Sequence, residues 1–345
     1  MKAYELQGPG GIDAMMLVEK PMPVPGPGQV LVRLKAATIN YRDLLTVKGG
    51  YGSRQKFPLI PLSDGAGVVD SVGVGVTAFK PDDRVIGSFF EGWLGGEPSE
   101  TKMRTALGGA LDGVLCEYRV WPANALVRTP DHLSDLEAAS LPCAGLTAWS
   151  AVVKLGNIRP GQTVLTQGTG GVSIFALQFA KMNGARVIAT SSSEAKIEKL
   201  KELGADITIN YKEEDFVEVL RKETGGANVI LDNMGASYLG RNVDALAADG
   251  RLVIIGMQGG VKGELNVGAL LGKRAEVFAA GLRFRPLDQK AAIVADVRER
   301  LWPLVAEGAV KPIIGQVVPM AEAASAHRAL EEGSVFGKIL LAAKS

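Results

Sequence analysis

The chain has 345 residues, of which 38 are basic and 37 acidic, so its formal charge is only +1. With 47% hydrophobic and 22% charged residues, it has the composition of a folded soluble protein, long enough for two domains, and not of a disordered segment. The balanced charge argues against nucleic acid or an anionic membrane as a partner, and no apolar run approaches the ~18 residues that a bilayer span needs.

The cysteine content and the first residues indicate where the protein works. The two cysteines, Cys116 and Cys143, are too few for a disulfide scaffold and are typical of a reducing compartment. The first residues, MKAYELQGPGG, lack the apolar core of a secretory signal. We therefore expect a cytoplasmic protein.

The first part of the chain reads as short strands separated by Pro and Gly. Val30–Ile39 alternates apolar and polar residues as a half-buried strand does, and Gly65–Val76 and Asp83–Ser88 are further strand candidates. Residues 89–112 show no clean period and contain several glycines, which is typical of a surface lobe or a functional loop. This part predicts a mostly β, barrel-like domain.

From about residue 145 the pattern changes to alternating strands and helices. At this spacing the alternation predicts a parallel sheet covered by helices, hence an α/β fold. A last helix around Ala291–Glu307 and a strand over Gly337–Ala342 are expected to return to the first domain. The predicted domains are therefore residues 1–144 with 280–345, and residues 145–279 between them.

The strongest local signal is TVLTQGTGG, Thr163–Gly171, where an apolar strand leads through glycines into a helix. Such a turn brings the pyrophosphate of a dinucleotide against the helix N-terminus. The last glycine of the GxGxxG pattern is Ser173 here, so the packing of helix on strand must accommodate a hydroxyl. The cofactor-binding residues predicted from this turn are Gly168, Thr169, Gly170, Gly171 and Val172.

The end of the next strand indicates which dinucleotide is bound. NAD enzymes usually carry Asp or Glu there for the ribose 2′-hydroxyl. This chain has Thr190–Ser193, with no acid before Glu194 and with Lys196 behind it. Hydroxyls and a cation suit a 2′-phosphate, so Ser191, Ser192 and Lys196 predict NADP. A serine N-cap on a helix whose lysine is merely solvated is the alternative, and both can hold together.

At these residues the sequence resembles the zinc-independent quinone oxidoreductase branch of the medium-chain dehydrogenase/reductase superfamily. The resemblance runs nearly end to end, through PGPGQVLVRLKAATINYRDLL, PLSDGAGVV, FKPDDRV, LPCAGLTAW, GTGGVS, LGADITINY and FGKILL. It implies a Rossmann doubly wound parallel sheet together with a mostly β, GroES-like barrel as the catalytic domain.

The resemblance also implies further cofactor-binding residues. Tyr211 takes the place of an adenine-side tyrosine, and Gly256 and Met257 match the segment that lines the nicotinamide. Lys338 matches a basic residue near the pyrophosphate, and its family neighbour would be Asp43, in an ion pair that links both domains. Alternatively, Lys338 is a strand-edge lysine that blocks pairing.

The residues at the family's zinc positions argue against a catalytic metal. By the resemblance these positions hold Asn40, Ser63 and Cys143, and a single thiolate with two poor ligands does not make the usual three-ligand site. The two histidines, His132 and His327, form no ligand-like pair. We expect no bound zinc and a small core residue at Cys143.

Without a Lewis acid, conjugated acceptors are better substrates than simple carbonyls, because their π-system spreads the negative charge. The family's N-x-x-D motif falls on Asn40 and Asp43, and Asn40 is expected to donate to the substrate carbonyl or to the cofactor ribose. Tyr41 and Tyr51 are candidate proton donors or pocket walls. An aromatic cleft for a flat substrate is expected from Phe89, Phe90 and Trp93.

These observations predict an NADPH-dependent reductase of quinones or other conjugated carbonyls. An enone or 2-enal double-bond reductase, an alcohol dehydrogenase-like carbonyl reductase and a non-enzymatic NADPH-binding protein are the alternatives. Ala275–Ala280 reads as the last strand of the parallel sheet, and its apolar edge predicts a homodimer. The alternative is a monomer in which the following LRFRPLD segment shields that edge.

Overall fold

The structure is a computed structural model that describes residues 1–49, 55–91, 105–280, 293 and 296–343. The chain divides into two compact units. The first contains Met1–Ala144 and Arg283–Ser345, and the second contains Gly145–Leu282.

The first unit is mostly β. Its strands are β1 (Lys2–Leu6), β2 (Met15–Glu19), β3 (Gln29–Thr38), β4 (Asp64–Val72), β5 (Arg84–Gly87), β6 (Tyr118–Pro122), β7 (Leu126–Arg128), and, near the C-terminus, β14 (Ile314–Pro319) and β15 (Lys338–Ala342). β1 and β2 pair with each other, and seven further strands form one sheet with the order β14-β15-β3-β4-β5-β7, β6 pairing with β3. The predicted mostly β first part is thus present in the described residues.

The long strand β3 organises this sheet. Its predicted alternation places Val30, Val32 and Leu34 in the core, where the indole of Trp121 is also buried. β3 pairs antiparallel with β4, β6 and the terminal strand β15. Through the last of these pairings the C-terminal segment returns to the first unit.

Helices of the first unit are short in the described residues. They are α1 (Tyr41–Val47), α2 (Asp135–Ala139), α3 (Pro142–Trp149, which leads into the second unit), and, after the second unit, α9 (Trp302–Ala306) and α10 (Ala323–Glu332). Within the predicted Ala291–Glu307 helix, a π-helical turn over Val297–Leu301 precedes α9, and part of that span lies outside the described residues. The sequence analysis did not predict α10 or the strand before it.

The second unit is a doubly wound parallel sheet, which confirms the predicted fold class. Its strands are β8 (Thr163–Gln167), β9 (Arg186–Ser191), β10 (Ile207–Asn210), β11 (Ala227–Asp232), β12 (Leu246–Ile254) and β13 (Glu276–Ala279), and its helices are a π-helical segment (Ser150–Leu155), α4 (Gly171–Met182), α5 (Glu194–Glu202), α6 (Phe216–Thr224), α7 (Leu239–Ala245) and α8 (Val267–Lys273). The strand order is β10-β9-β8-β11-β12-β13. Every residue of β8 is buried, as in a strand covered on both faces.

This strand order fixes where a ligand is expected. Successive strands run outward from β8 to β10 in one direction and from β11 to β13 in the other, so the order reverses between β8 and β11. In open α/β sheets ligands bind outside the carboxyl ends of the strands at that switch point. Among the described residues, no helix combines the length and the apolar character that a bilayer span requires.

Candidate functional site

The glycine turn after β8 is held open beside its main chain. Gly168 has φ +76°, a conformation that glycine adopts without strain. Its N–H lies 3.1 Å from the carbonyl oxygen and 3.2 Å from Oγ1 of Thr190, which ties the turn to the end of β9. A Cβ added at Gly168 or at Gly170 would have no atom within 4 Å. The turn is therefore a cradle with room for a ligand against the backbone.

Helix α4 begins directly after this turn. Gly170 is its N-cap and has no side chain to satisfy the first main-chain N–H groups, which leaves them for an anion. Ser173, in place of the expected third glycine, is buried, and its Oγ donates to Gln167 O at 2.8 Å. Asn233 Nδ2 donates to the same Oγ and to Gln167 O, both at 2.9 Å. The extra hydroxyl is thus fully bonded within the fold.

The carboxyl end of β9 carries the residues predicted to select NADP. Ser191 is buried, and its Oγ has no hydrogen-bond partner among the described residues. Ser192 and Lys196 are half-buried, and burial together with the nearby Lys199 lowers the pKa of the Lys196 ammonium group. The Ser193 side chain occupies the N-cap position of α5 but makes no capping hydrogen bond.

Tyr211 joins this group through strand pairing. β10 lies beside β9 with Asn210 opposite Ser191, and the Tyr211 N–H donates to Ser191 O at 3.1 Å. The Tyr211 side chain is 41% exposed. The nearest acid, Glu194, accepts a hydrogen bond from Asn210 Nδ2 at 3.2 Å. The unpartnered Ser191 hydroxyl and the exposed Tyr211 ring therefore lie at the carboxyl ends of two adjacent strands, β9 and β10.

Gly256 and Met257 follow β12, two strands away from the glycine turn. Gly256 N donates to Asp232 O at 3.2 Å, and a Cβ on Gly256 would lie 2.5 Å from Asn233 O, so this approach requires glycine. Met257 is 48% exposed. The Asp232 carboxylate accepts from the N–H groups of Met234 and Gly235 at 2.7 and 2.9 Å, while burial raises its pKa.

The sheet thus places the predicted cofactor residues of the second unit at the carboxyl ends of β10, β9, β8 and β12. The open cradle at Gly168 and the orphaned Ser191 hydroxyl fit a phosphorylated dinucleotide. Sequence reasoning missed Asp232 and Asn233, which shape the same edge. Their signal was two polar residues directly after a buried apolar strand.

In the first unit, Asn40 lies at the N-cap of α1 and is only 8% exposed. Its N–H donates to Asp43 Oδ2 at 2.9 Å. Its Oδ1 accepts a hydrogen bond of 2.6 Å from Lys338 Nζ. Its Nδ2 is buried without a hydrogen-bond partner among the described residues.

Asp43 is the third residue of α1 and is fully buried. Its Oδ1 lies 3.3 Å from Nη1 of Arg42. Burial raises the pKa of its carboxyl to about 6, although the Arg42 guanidinium opposes the shift. Arg42 Nη1 also donates to Leu107 O at 2.8 Å. Asp43 therefore anchors the start of α1 by accepting from the Asn40 main chain.

Lys338, the first residue of β15, is 5% exposed. Its Nζ donates to Ile39 O at 3.0 Å as well as to Asn40. Burial lowers the pKa of its ammonium group, and the nearby Asp64, Cys143 and Asp43 oppose that shift. We call Asn40, Asp43, Asp64, Cys143 and Lys338 the Lys338 cluster.

The expected ion pair between Lys338 and Asp43, linking both domains, is wrong on both counts. Both residues belong to the first unit. The Lys338 ammonium group donates to Asn40 Oδ1 and Ile39 O, and among the described residues it makes no hydrogen bond to the Asp43 carboxylate, whose charge acts on it only from a distance. Burial also rules out a strand-edge lysine exposed to solvent.

The other residues at the predicted zinc positions make hydrogen bonds within the first unit. Asp64, fully buried, accepts from Ser63 Oγ at 2.6 Å and from Cys143 N at 2.8 Å. Burial, reinforced by Asp64, raises the pKa of the Cys143 thiol to about 12. Across the described ranges, no three His, Cys, Asp or Glu side chains are grouped as a metal site requires.

The remaining predicted catalytic residues are less informative. Tyr41, the first residue of α1, is half-buried. Tyr51 and Trp93 lie outside the described residues. Phe89 and Phe90 are 6% and 5% exposed, with ring centroids 4.4 Å apart, so these two rings pack against each other in the core.

The chain matches two protein families. Residues 26–131 match the alcohol dehydrogenase GroES-like domain, and residues 171–293 match the zinc-binding dehydrogenases. A zinc-type alcohol dehydrogenase-like protein of Schizosaccharomyces pombe is 37% identical over 91% of each chain. An acryloyl-coenzyme A reductase of Metallosphaera sedula is 30% identical over 92% of this chain and 93% of its own length.

Solved structures extend the likeness to the whole fold. The crystal structure of an NAD-dependent alcohol dehydrogenase is similar with a TM-score of 0.87 and 37% identity, over 99% of each chain. The Escherichia coli quinone oxidoreductase complexed with NADPH is similar with a TM-score of 0.82 and 27% identity, over 99% of this chain and 100% of that one.

Proposed function

The chain belongs to the medium-chain dehydrogenase/reductase superfamily of oxidoreductases, as its resemblance and its predicted GroES-like and Rossmann folds implied. From that premise we propose that it is an NADPH-dependent reductase that transfers hydride, without zinc, to a quinone or another conjugated carbonyl compound. One observation carries this proposal. At two of the positions that the resemblance assigns to zinc ligands, the chain carries Asn40, which is bonded to a buried lysine, and Ser63, which donates to Asp64.

The proposed cofactor is NADP(H). The open cradle at Gly168 and Gly170 leaves space for the pyrophosphate at the N-terminus of α4. Ser191, Ser192 and Lys196 supply hydroxyls and a cation for the 2′-phosphate, where an NAD enzyme usually carries an acid. The NADPH in the bacterial quinone oxidoreductase structure supports this choice. The similar NAD-dependent alcohol dehydrogenase makes the comparison of NADPH with NADH the first measurement.

The donor set supports hydride transfer without zinc. A zinc ligand has to be a thiolate, a neutral imidazole or a carboxylate with free lone pairs. Asn40 and Ser63 are poor zinc ligands, and both Asp64 carboxylate oxygens already accept hydrogen bonds. Asn40 Oδ1 accepts from Lys338. Since a metal would have to displace these bonds, we propose that the site works without one.

NADPH, when bound, supplies the hydride. The chain's own residues position the acceptor and stabilise the charge that develops on its carbonyl oxygen. We assign a hydrogen-bond donor role to Asn40, because its Nδ2 is unpartnered, and a positioning role to Asp43, which holds the Asn40 main chain. Tyr41 and Tyr51 remain the proposed proton donors.

Two other functions share this geometry. The acryloyl-coenzyme A reductase relative favours reduction of an enone or 2-enal double bond, since its substrate name describes a conjugated acyl group. An alcohol dehydrogenase-like carbonyl reductase is the second enzymatic alternative. A non-enzymatic NADPH-binding protein would use the cofactor site alone. A small-molecule substrate, a cytoplasmic location and no membrane or nucleic-acid partner complete the proposal.

The test is NADPH oxidation by the purified protein with a panel of quinones, enones, 2-enals, saturated aldehydes and alcohols. Bound metal is measured on the same sample, before and after prolonged treatment with a chelator. Turnover of conjugated acceptors, unchanged after chelation, is the expected result. Stoichiometric zinc whose removal abolishes turnover would overturn the metal-free proposal. Tight NADPH binding without turnover of any acceptor would favour the non-enzymatic function.

A further inference from the structure

The Asn40 carboxamide has two chemically different ends, and only one of them is bonded. Oδ1 accepts a 2.6 Å hydrogen bond from Lys338 Nζ. Nδ2, which carries two N–H donors, is buried and has no partner among the described residues. Because a buried donor without a partner is costly and rare, this arrangement is unusual for a residue that only caps a helix.

The contact with Lys338 determines the orientation of the Asn40 carboxamide. An ammonium group carries three N–H donors and no acceptor, so only an oxygen can face it at 2.6 Å. Turning the carboxamide by 180° would place two N–H donors against that charge. The ammonium group thus fixes Nδ2 on the side of the amide away from Lys338.

The framework around this contact is rigid. Lys338 Nζ also donates to Ile39 O at 3.0 Å, one residue before Asn40. Ile39 N donates to Ile339 O at 3.2 Å, and the Thr38 hydroxyl donates to the same oxygen at 2.9 Å. The chain before Asn40 is therefore bonded directly to the strand that carries Lys338, and the donor cannot easily relax toward another partner.

We propose that Lys338 is a positioning residue, which orients the Asn40 carboxamide so that Nδ2 donates to an acceptor oxygen of the bound ligand. This inference rests on the proposed function and gives it a specific donor. The oxygen is either the substrate carbonyl, where negative charge develops, or a hydroxyl of the cofactor ribose. A donor sheltered from water is strong, because water does not compete for it.

Asn40→Asp is the most direct test of the donor. The carboxylate keeps the size of the side chain and still accepts from Lys338, but it has no N–H to donate. We expect kcat/KM for a cyclic enone or a quinone to fall about 100-fold, as loss of an oxyanion donor does, without a lower melting temperature. If NADPH Kd rises instead and kcat is kept, the acceptor oxygen is the cofactor's. If neither kcat/KM nor Kd changes, the proposal is overturned.

Lys338→Met and Lys338→Gln separate orientation from charge. Methionine removes every donor, so the Asn40 amide is free to turn, and we expect kcat/KM to fall about tenfold. The glutamine amide can still donate to Asn40 Oδ1 without a positive charge, so it should restore most of that loss. Equal losses in both variants would show that the charge matters and not the orientation, and would overturn the positioning role.

A readout without turnover keeps this inference separate from the proposed function. In protein labelled with ¹⁵N-asparagine, the Asn40 NH₂ resonance is identified by its absence in Asn40→Asp. It should shift when NADPH, or NADPH with an unreactive ketone, is added, and split or broaden in Lys338→Met. These shifts would support the donor even if no acceptor is reduced, and an Asn40 resonance unaffected by either addition would overturn it.

Matched control variants change the same residue types elsewhere. Asn266 caps α8 by accepting from Ala269 N at 3.0 Å, and Asn266→Asp should leave kcat/KM unchanged. Lys273 Nζ donates to the main-chain carbonyl oxygens of Val243, Asp244 and Leu246. Lys273→Met should lower the melting temperature without the selective loss expected for Lys338→Met.

Discussion

We call the carboxyl ends of β8, β9, β10 and β12, with the residues that directly follow these strands, the cofactor edge of the second unit. The cofactor edge and the Lys338 cluster of the first unit differ in the burial of their polar groups. At the cofactor edge, glycines leave open space beside the main chain, and Tyr211 and Met257 are exposed. In the Lys338 cluster, Asp43, Asp64 and Lys338 are at least 95% buried, and the Asp64 charge raises the pKa values of Asp43 and of Lys338. The open cofactor edge leaves its polar groups accessible to a ligand, whereas the buried charges of the Lys338 cluster have to be compensated by opposite charges within the cluster.

This difference predicts different consequences of mutation. Removing a charged side chain from the Lys338 cluster should lower the folding stability, because a charge that is left buried without its counter-charge is costly. Changes at the cofactor edge should affect affinity and leave stability nearly unchanged. The following variants test that separation, beginning with the largest effect.

Asp64→Ala should have the largest effect. It removes a fully buried carboxylate that accepts from Ser63 Oγ and Cys143 N and that partly neutralises Lys338. We expect a loss of about 3–5 kcal/mol in the free energy of unfolding, measured by urea denaturation. Asp70→Ala, on the exposed side of the same strand, is the control and should change the stability by less than about 0.5 kcal/mol. Equal losses would contradict the idea of a charge-balanced cluster.

The pH dependence of stability sharpens the same point at Asp43. Its pKa is about 6 in the folded protein against an ordinary value of 3.8, because burial outweighs Arg42 and Lys338 while Asp64 adds to the shift. Between pH 4 and pH 6 the folded protein therefore holds a proton that the unfolded chain has released, so this group makes stability fall as pH rises. The expected loss is about 3 kcal/mol, complete above pH 6.

Asp43→Asn removes this dependence. The difference in unfolding free energy between the variant and the native protein should therefore change by about 2 kcal/mol from pH 4 to pH 6, in favour of the variant, out of the total of about 3 kcal/mol over the whole titration. Effects of other titrating groups, such as the buried His327, cancel in that difference. A difference that stays flat across this range would show that Asp43 titrates normally.

At the cofactor edge, Lys196→Ala should act on affinity alone. NADPH affinity is expected to fall about 10- to 100-fold, since a charge-assisted hydrogen bond contributes about 1.5–3 kcal/mol, while NADH affinity should be unchanged. Fluorescence titration with both cofactors measures this. Lys199→Ala, an exposed lysine on the same helix, is the control. Similar losses for NADPH and NADH would contradict a 2′-phosphate contact.

The smallest effect on the single chain is expected at the sheet edge. β13 is the outer strand, and Val277 is 40% exposed. Ala280 N donates to Ile254 O, and since the main-chain N–H groups of successive strand residues point to opposite sides, the Val277 N–H, three residues earlier, points away from β12. We propose that two such edges pair in a homodimer. The segment LRFRPLD, the alternative cover for this edge, lies outside the described residues.

Val277→Pro tests this pairing because it removes an outward N–H without breaking the β12 ladder. Sedimentation at micromolar concentration should show a dimer for the native protein and a monomer for the variant, with NADPH affinity unchanged in both. Val277→Thr, which changes the same side chain but keeps the main-chain N–H, is the control and should remain a dimer. A native protein that sediments as a monomer would refute the dimer.

Local sequence was sufficient where neighbouring residues carry the whole signal. The glycine turn after Thr163–Gln167 and the hydroxyl-rich end of Arg186–Ser191 lie within short segments, and in the structure each lies at the carboxyl end of a parallel strand, as the sequence predicted. By contrast, β14 was missed, because its sequence IGQVVP shows no regular alternation of apolar and polar residues and its position is fixed by pairing with β15.

The sequence by itself determined the alternating α/β pattern and the dinucleotide turn, because each depends on residue types at short spacing. Only the tertiary structure decided the partner of Lys338. Asn40 and Lys338 are separated by 298 positions, and they meet because β15 pairs with the end of β3. Family likeness suggested Asp43 as the partner, but the length and burial of the lysine side chain place its ammonium group on the Asn40 amide. A contact between distant segments depends on strand register, which no local pattern encodes.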